Sequence, residues 1–346
     1  MGSIKDRVAI VGMGCVKFGE NWDKSLEDMI IEAAYEAFED AGVEPKDIQA
    51  AWWGSVFAGE SGSIMSTPLK LAYIPVTHVE NQCATGSEAI RGAAYAVAAG
   101  VYDLVLAVGA EKLKDTGYSG LPQTRPVATW SYRLTTQTPA AGFAMMATGY
   151  FAKYGLDFDE GKRLLAHIAV KNHHNGSLNP KAHFQREITL EQAINAPMIA
   201  YPLGLYDACG VSDGAAAAII TRADLAKSFR SDPIYLKAVS ICQGAREGWL
   251  SQVYDLAHVE ETYRGGIAAY QEAGIKDPRK EISIAEVHDC FSITELTIME
   301  DLQFSPRGRV REDIEAGTFT LEGDLPVNTD RGLKCFGHPI GATGLR

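Results

Sequence analysis

The chain has 346 residues, 46% apolar and 22% charged, with a formal net charge of −12, enough to bury a large core and to suggest two domains or one duplicated one. The acidic balance, with no basic stripe and no basic patch interleaved with aromatics, excludes a nucleic-acid binder. No segment is apolar over a membrane-spanning length, the N-terminus lacks a signal peptide's charged-then-apolar order, and Met1-Gly2 is no myristoylation start because position 6 is Asp.

In chain order, Val8 to Val11 reads as a short apolar strand, and Ser25 with Asp28 makes a capping box for a helix ending before Gly42. Ala50 to Phe57 is a further strand. The β-branched run Val76, Thr77, Val79 leads through Asn81-Gln82-Cys83-Ala84-Thr85-Gly86-Ser87 into a helix from about Cys83 to Gly100, whose alanines on nearly all sides mark it as buried. Leu104 to Val108 is a strand. From about Lys114 to Leu203 the pattern breaks at Pro122, Pro126, Pro139, Pro180, Pro197 and Pro202, with helices at Ala141 to Tyr154 and Gly161 to His174, which suggests an inserted subdomain over the site. Ala215 to Ile220 returns to the sheet. A second half starts near Asp232-Pro233, with strand Tyr235 to Ser240, helix His258 to Gly274 and strand Ile282 to Val287.

Cys83 carries the chemistry. At the start of a buried helix a thiol meets free N–H groups and the positive end of the macrodipole, so its thiolate is expected near neutral pH, ahead of the other five cysteines. The bland alternative is a small core hydrophobe. Two histidines downstream strengthen the first reading: His288 in His288-Asp289-Cys290-Phe291, and His338 in Gly337-His338-Pro339-Ile340-Gly341-Ala342-Thr343-Gly344. Each stands beside a break in regular structure. One can take the thiol proton while the other donates to a developing oxyanion.

At these residues the chain resembles the thiolase superfamily, and within it the sterol-carrier-protein-2-type and archaeal thiolases, which carry His-Asp-Cys-Phe where others have Asn-Glu-Ala-Phe. The resemblance runs the whole length and includes Asp103 to Lys112 and Val211 to Ala217; Thr85 stands where many relatives have Ser. It implies an α/β thiolase fold: two similar βαβαβ-type halves in a layered αβαβα arrangement, the first at 1–113 and 204–230, the second at 231–346, with an inserted loop subdomain at 114–203. It also implies an acyltransferase acting on 3-oxoacyl-CoA. Cys83 is then the nucleophile, His338 its base, His288 and His338 an oxyanion hole, Cys290 the second acid/base, and the Cys83 N–H a second oxyanion site. Coenzyme A is substrate, with no bound cofactor and no metal. A cytoplasmic homodimer paired through the first-half sheet is expected, with a small separate OB-fold and zinc-ribbon subunit as a partner of this subgroup.

A repeat points the same way. Ala33-Ala34-Tyr35 leads to Asp40-Ala41-Gly42-Val43 as Ala268-Ala269-Tyr270 leads to Glu272-Ala273-Gly274-Ile275, and Cys83-Ala84-Thr85-Gly86 matches Gly341-Ala342-Thr343-Gly344. Two such halves bring the Cys83 helix start and the His338 loop together across a pseudo-twofold axis. On this scheme the sequence stops inside the second half's equivalent helix, so about 40 to 50 further residues are expected beyond Arg346.

Other features are weaker. Lys171, His173, His174, Lys181, His183 and Arg186 form a candidate cluster for the CoA phosphates, although such runs are usually solvated surface. Tyr118, Trp130, Tyr132, Phe143, Tyr150 and Phe151 hint at room for a bulky acyl group or at an ordinary core. Six cysteines without dense spacing fit a reducing compartment. Gly12-Met13-Gly14 lacks the third glycine of a dinucleotide fingerprint. The rival for the histidines is a zinc site of His288, Cys290, Cys335 and His338. Two other function classes stay open: a thiolase-like retro-aldolase that does not need Cys83, and a non-catalytic acyl-CoA-binding subunit.

Overall fold

The computed structural model describes residues 2–59, 61–116, 138–244 and 255–346. Eight strands are defined: β1 (Val8–Cys15), β2 (Ala50–Gly54), β3 (Val76–Val79), β4 (Leu104–Glu111), β5 (Met198–Ala200), β6 (Leu203–Gly204), β7 (Gly214–Arg222) and β8 (Ile234–Tyr235). Six of them make one mixed sheet in the order β3-β2-β4-β7-β1-β8, while β5 and β6 form a separate hairpin. β2 runs parallel to β3 and β4, whereas β4, β7, β1 and β8 alternate in direction. Buried apolar residues along β4 and β7 put the main core at the centre of this sheet.

Helix α1 (Leu26–Ala41) starts at the expected Ser25–Asp28 capping box and ends on Gly42 at φ 67°, a left-handed cap. It packs on β1 and β7. Helix α2 (Ser63–Leu69) joins it at the sheet's rim, and helix α3 (Thr85–Ala98) packs on the opposite face against β2, β4 and β7. The chain continues through α4 (Pro139–Tyr154), α5 (Phe158–Ser177), α6 (Glu260–Ala273), α7 (Ser292–Asp301), α8 (Val310–Glu315), α9 (Gly332–Phe336) and α10 (Ile340–Thr343). A second apolar cluster joins α4, α5 and α7 with Cys290 and Phe291.

The starts of α3 and α10 abut. A Cβ on Gly86 would lie 2.7 Å from the Gly344 amide nitrogen, and one on Gly344 would lie 2.4 Å from that of Ser87, so only glycine permits this approach. The two copies of the Ala-Thr-Gly repeat therefore meet back to back, as the repeat requires.

Several boundaries differ from expectation, each for a local reason. β2 stops at Gly54 because the N–H groups of Val56 and Phe57 turn away to donate to the Glu111 carboxylate, at 2.6 and 3.2 Å. α3 starts at Thr85 rather than Cys83, since Gln82 adopts φ 47° and Thr85 Oγ1 ties the turn by accepting from Asn81 N and donating to Gln82 O. That helix is buried along one side only, with Tyr95 41% exposed. In the second half, the run from Tyr235 contributes only β8, and Ile282 to Val287 makes a single bridge, Ala285 to Val327. Among the described residues no segment flanks these runs as β4 and β7 flank β1 and β2, and the Val287 amide bonds the Asn328 side chain instead of a ladder partner.

Tyr118, Trp130 and Tyr132 lie outside the described residues. Of the remaining insert aromatics, Phe143 stacks on Phe291 at 4.7 Å, Tyr150 donates to Glu300, and Phe151 is buried against Gly161, so these three fill core space. No helix among the described residues is long and apolar enough to cross a membrane.

Candidate active site

Three separated segments meet at one point. Cys83 follows the strained Gln82 turn between β3 and α3, His288 ends the run after Ala285, and His338 follows α9 at Gly337, whose φ of 115° is a glycine conformation. One ligand atom each from Cys83, His288 and His338 lies within 4.8 Å of the others. The two imidazoles sit edge to face, with centroids 5.2 Å apart and planes at 81°. Cys83 and His288 are half-buried and His338 is buried, so the nucleophile is reached before its base.

The hydrogen bonds favour one tautomer. Thr343 Oγ1 lies 3.0 Å from the Pro339 carbonyl and 2.8 Å from His338 Nδ1; donating its single proton to the carbonyl, it accepts from Nδ1. We assign the imidazole proton to Nδ1 on this ground, which leaves Nε2, buried and without a partner among the described residues, to present its lone pair. Burial holds His288 down to about 4 and His338 far below the ordinary imidazole value, the latter also through the neighbouring His288 and Arg346. Both rings are neutral at pH 7. His338 is thus a base in its resting state and becomes a donor only after it takes a proton.

Family comparison agrees with this geometry. Residues 8–224 match the family described as "Thiolase, N-terminal domain" and residues 243–346 match "Thiolase C-terminal domain-like". The chain belongs to the thiolase family. It is 38% identical to an acetyl-CoA acetyltransferase of Methanothermobacter thermautotrophicus, over 98% of this chain and 88% of that one. It is 30% identical to sterol carrier protein 2 of Gallus gallus over 98% of this chain and 64% of that protein. A solved structure described as "Ltp2-ChsH2(DUF35) aldolase" superposes with a TM-score of 0.85 at 26% identity, covering 97% of this chain and 87% of that one. The sheet, the paired helices α3 and α10, and the inserted α4–α5 region are the thiolase fold.

The thiolase site departs from sequence expectation in its resting charge. The Cys83 thiol is pushed up to about 11 by burial, against which its own backbone N–H acts as the smaller, opposing influence. Burial thus opposes the near-neutral thiolate expected at a helix start, and Cys83 precedes the helix by two residues, where the dipole acts more weakly. Cys290 is buried with its sulfur 3.7 Å from Thr294 Oγ1, and burial, with Cys209 and Cys83 nearby, raises its pKa well above the ordinary thiol value.

Two weaker readings of the sequence find no support. The zinc quartet does not assemble: among the described residues the ligand group at this point contains Cys83 but neither Cys290 nor Cys335, the latter lying against Gly176. The proposed phosphate cluster is dispersed. Lys171 bonds Asn172, Val327 O and Glu295; His173 bonds Arg186 O; His174 pairs with Glu187, Lys181 with Glu36, and His183 with Ser212.

Residues that motif reading missed hold the site together. Asp289 accepts from the amides of Leu333 and Lys334 and from Asn172 Nδ2 at 2.7 Å; Asn172 also donates to Glu295, which accepts from Asn328 at 2.7 Å. Lys334 donates to Asp207 O and Ser292 Oγ, both at 2.9 Å. One carboxylate thereby clamps the His288–Cys290 segment, α9 ahead of His338, and α5 of the insert. Burial, reinforced by Glu295, raises Asp289 to about 7. Thr343 had a signal, its place in the repeated Ala-Thr-Gly; the Asn172–Asp289 contact spans 117 residues and had none.

Proposed function

We propose that this thiolase is an acyltransferase that cleaves or forms 3-oxoacyl-CoA through an acyl-cysteine. His338 Nε2 takes the Cys83 thiol proton, and the thiolate attacks the 3-keto carbon. Collapse of that adduct breaks the bond between C2 and C3. The acyl group stays on sulfur, and the other fragment leaves as the enolate of acetyl-CoA. His288 and the newly protonated His338 donate to the enolate oxygen, while Cys290 supplies the proton its carbon needs. The thiol of a second CoA then gives its proton to the Cys290 thiolate and attacks the acyl-cysteine, releasing a shortened acyl-CoA and the Cys83 thiolate, which recovers its proton from His338. The observation that carries this reading is the buried, unpartnered His338 Nε2 in the group that contains Cys83.

The reading extends to a homodimer paired through the first-half sheet and to division at 1–113 with 204–230, 114–203, and 231–346. Six free cysteines support a reducing, cytoplasmic setting. The likeness to a DUF35-containing aldolase supports a small separate subunit as partner and keeps a retro-aldolase as the second reading. Incubation with a 3-oxoacyl-CoA without free CoA separates the two. The acyltransferase leaves an acyl group on the Cys83 peptide, and Cys83→Ala abolishes adduct and thiolysis together; near wild-type cleavage by Cys83→Ala would install the retro-aldolase instead.

A further inference from the structure

The three groups at the catalytic point are also a metal-ligand set. Among the described residues, Cys83, His288 and His338 are the group of cysteine, histidine and carboxylate side chains whose ligand atoms lie within 4.8 Å of one another. His338 Nδ1 is held by Thr343, which leaves the buried Nε2, unpartnered among the described residues, as its available ligand atom. The two imidazoles meet edge to face with centroids 5.2 Å apart, so one nitrogen of each lies close enough to share an ion with the Cys83 sulfur.

Zinc bonds of about 2.0 Å to nitrogen and 2.3 Å to sulfur place tetrahedral ligand atoms roughly 3.5 Å apart, so side-chain shifts of about 1 Å close the set. One thiolate with two neutral imidazoles suits Zn²⁺, whereas Mg²⁺ and Ca²⁺ prefer oxygen. The carboxylate of Asp289, next to His288 in the chain, spends its oxygens on Leu333, Lys334 and Asn172.

We propose that Cys83, His288 and His338 bind one Zn²⁺ per chain reversibly, with water as fourth ligand, and that this holds the enzyme inactive. On binding, the thiol proton passes to solvent as the sulfur–zinc bond forms, and the His338 lone pair becomes a zinc–nitrogen bond. Nucleophile and base are consumed together. The site differs from a structural zinc centre in that chelation restores the enzyme rather than unfolding it.

Calorimetric titration of the chelator-treated full chain with Zn²⁺ tests this without turnover, so its outcome is separate from that of the acyltransferase reading. One zinc per chain is expected, undisplaced by excess Mg²⁺. Cys83→Ala and His338→Ala should each weaken it more than about 10²-fold, since even outer partners of ligands are worth 10- to 100-fold. Cys242→Ala should bind as wild type. Co²⁺ in place of zinc should give wild-type protein a thiolate charge-transfer band that Cys83→Ala lacks, a signature that loss of fold alone cannot mimic in the wild type. Where the chain turns over, thiolysis should fall over the same zinc range and return with EDTA. Absence of a saturable one-to-one site, zinc affinity unchanged in Cys83→Ala, a cobalt spectrum without thiolate character, or full activity at saturating zinc would each overturn the proposal.

Discussion

Thr343 and Cys83 show how much of the chemistry is set by single contacts. Thr343 keeps the His338 proton on Nδ1, so Thr343→Val should leave the ring free to flip tautomer and cost about 10- to 100-fold in kcat with KM little changed. Thr343→Ser, which keeps the hydroxyl, should recover most of it. A KM effect without a kcat effect would reassign Thr343 to substrate binding. The resting thiol makes a second expectation. With Cys83 held up to about 11, its alkylation by iodoacetamide in the free protein should rise about tenfold per pH unit from pH 7 to 10, followed on the Cys83 peptide. A plateau already reached by pH 8 would mean that the thiolate is preformed. Because His288 is held down to about 4 and His338 below the imidazole range, protonation of these rings should not limit kcat/KM until well below pH 6.5. A descending limb centred near 6.5 would contradict that assignment.

The elements that build the site are joined by one buried carboxylate, which makes Asp289 the most consequential residue that touches no substrate. Asp289→Ala would leave the Leu333 and Lys334 amides without their acceptor and Asn172 with Glu295 alone. Removing one member of a buried charged network costs about 3–5 kcal/mol, to be read as a lower denaturant midpoint. Wild-type stability in Asp289→Ala would show that the clamp is dispensable. At this scale the sequence is legible wherever a device is local: the Ser25–Asp28 box, the left-handed Gly42 and Gly274 caps, and the glycines that let α3 and α10 meet all stand in the motifs themselves. The end of β2 and the clamp were illegible, because Glu111 reaches Val56 across 55 residues and Asp289 reaches Asn172 across 117. Dipole reasoning at Cys83 omits an opposing influence for a related reason, since the burial that raises a thiol's pKa is a property of everything packed around it.

At the scale of the whole molecule, the sheet among the described residues ends on β3, and the outer side of that strand is where a second copy is expected. Ala51 N donates to Pro75 O and Ser55 N to Val79 O, so the odd-numbered backbone groups of β3 face β2 and those of Val76 and His78 face outward. Among the described residues no strand pairs with that outer side, where Gly62 packs against Val76; such an edge invites pairing, and a twofold axis beside β3 would join two six-stranded sheets into one. Four residues of ladder do not bury the ~800 Å² per partner of a stable interface, so flanking surface must contribute; Tyr73, wholly exposed just before β3, is placed to do so. Sedimentation equilibrium should therefore give twice the chain mass of 37.4 kDa. His78→Pro deletes an outward donor while sparing the amides that face β2, and should raise the dimer dissociation constant with secondary structure retained by circular dichroism. A wild-type chain that sediments at 37.4 kDa, or a His78→Pro dimer as tight as wild type, would move the interface away from β3.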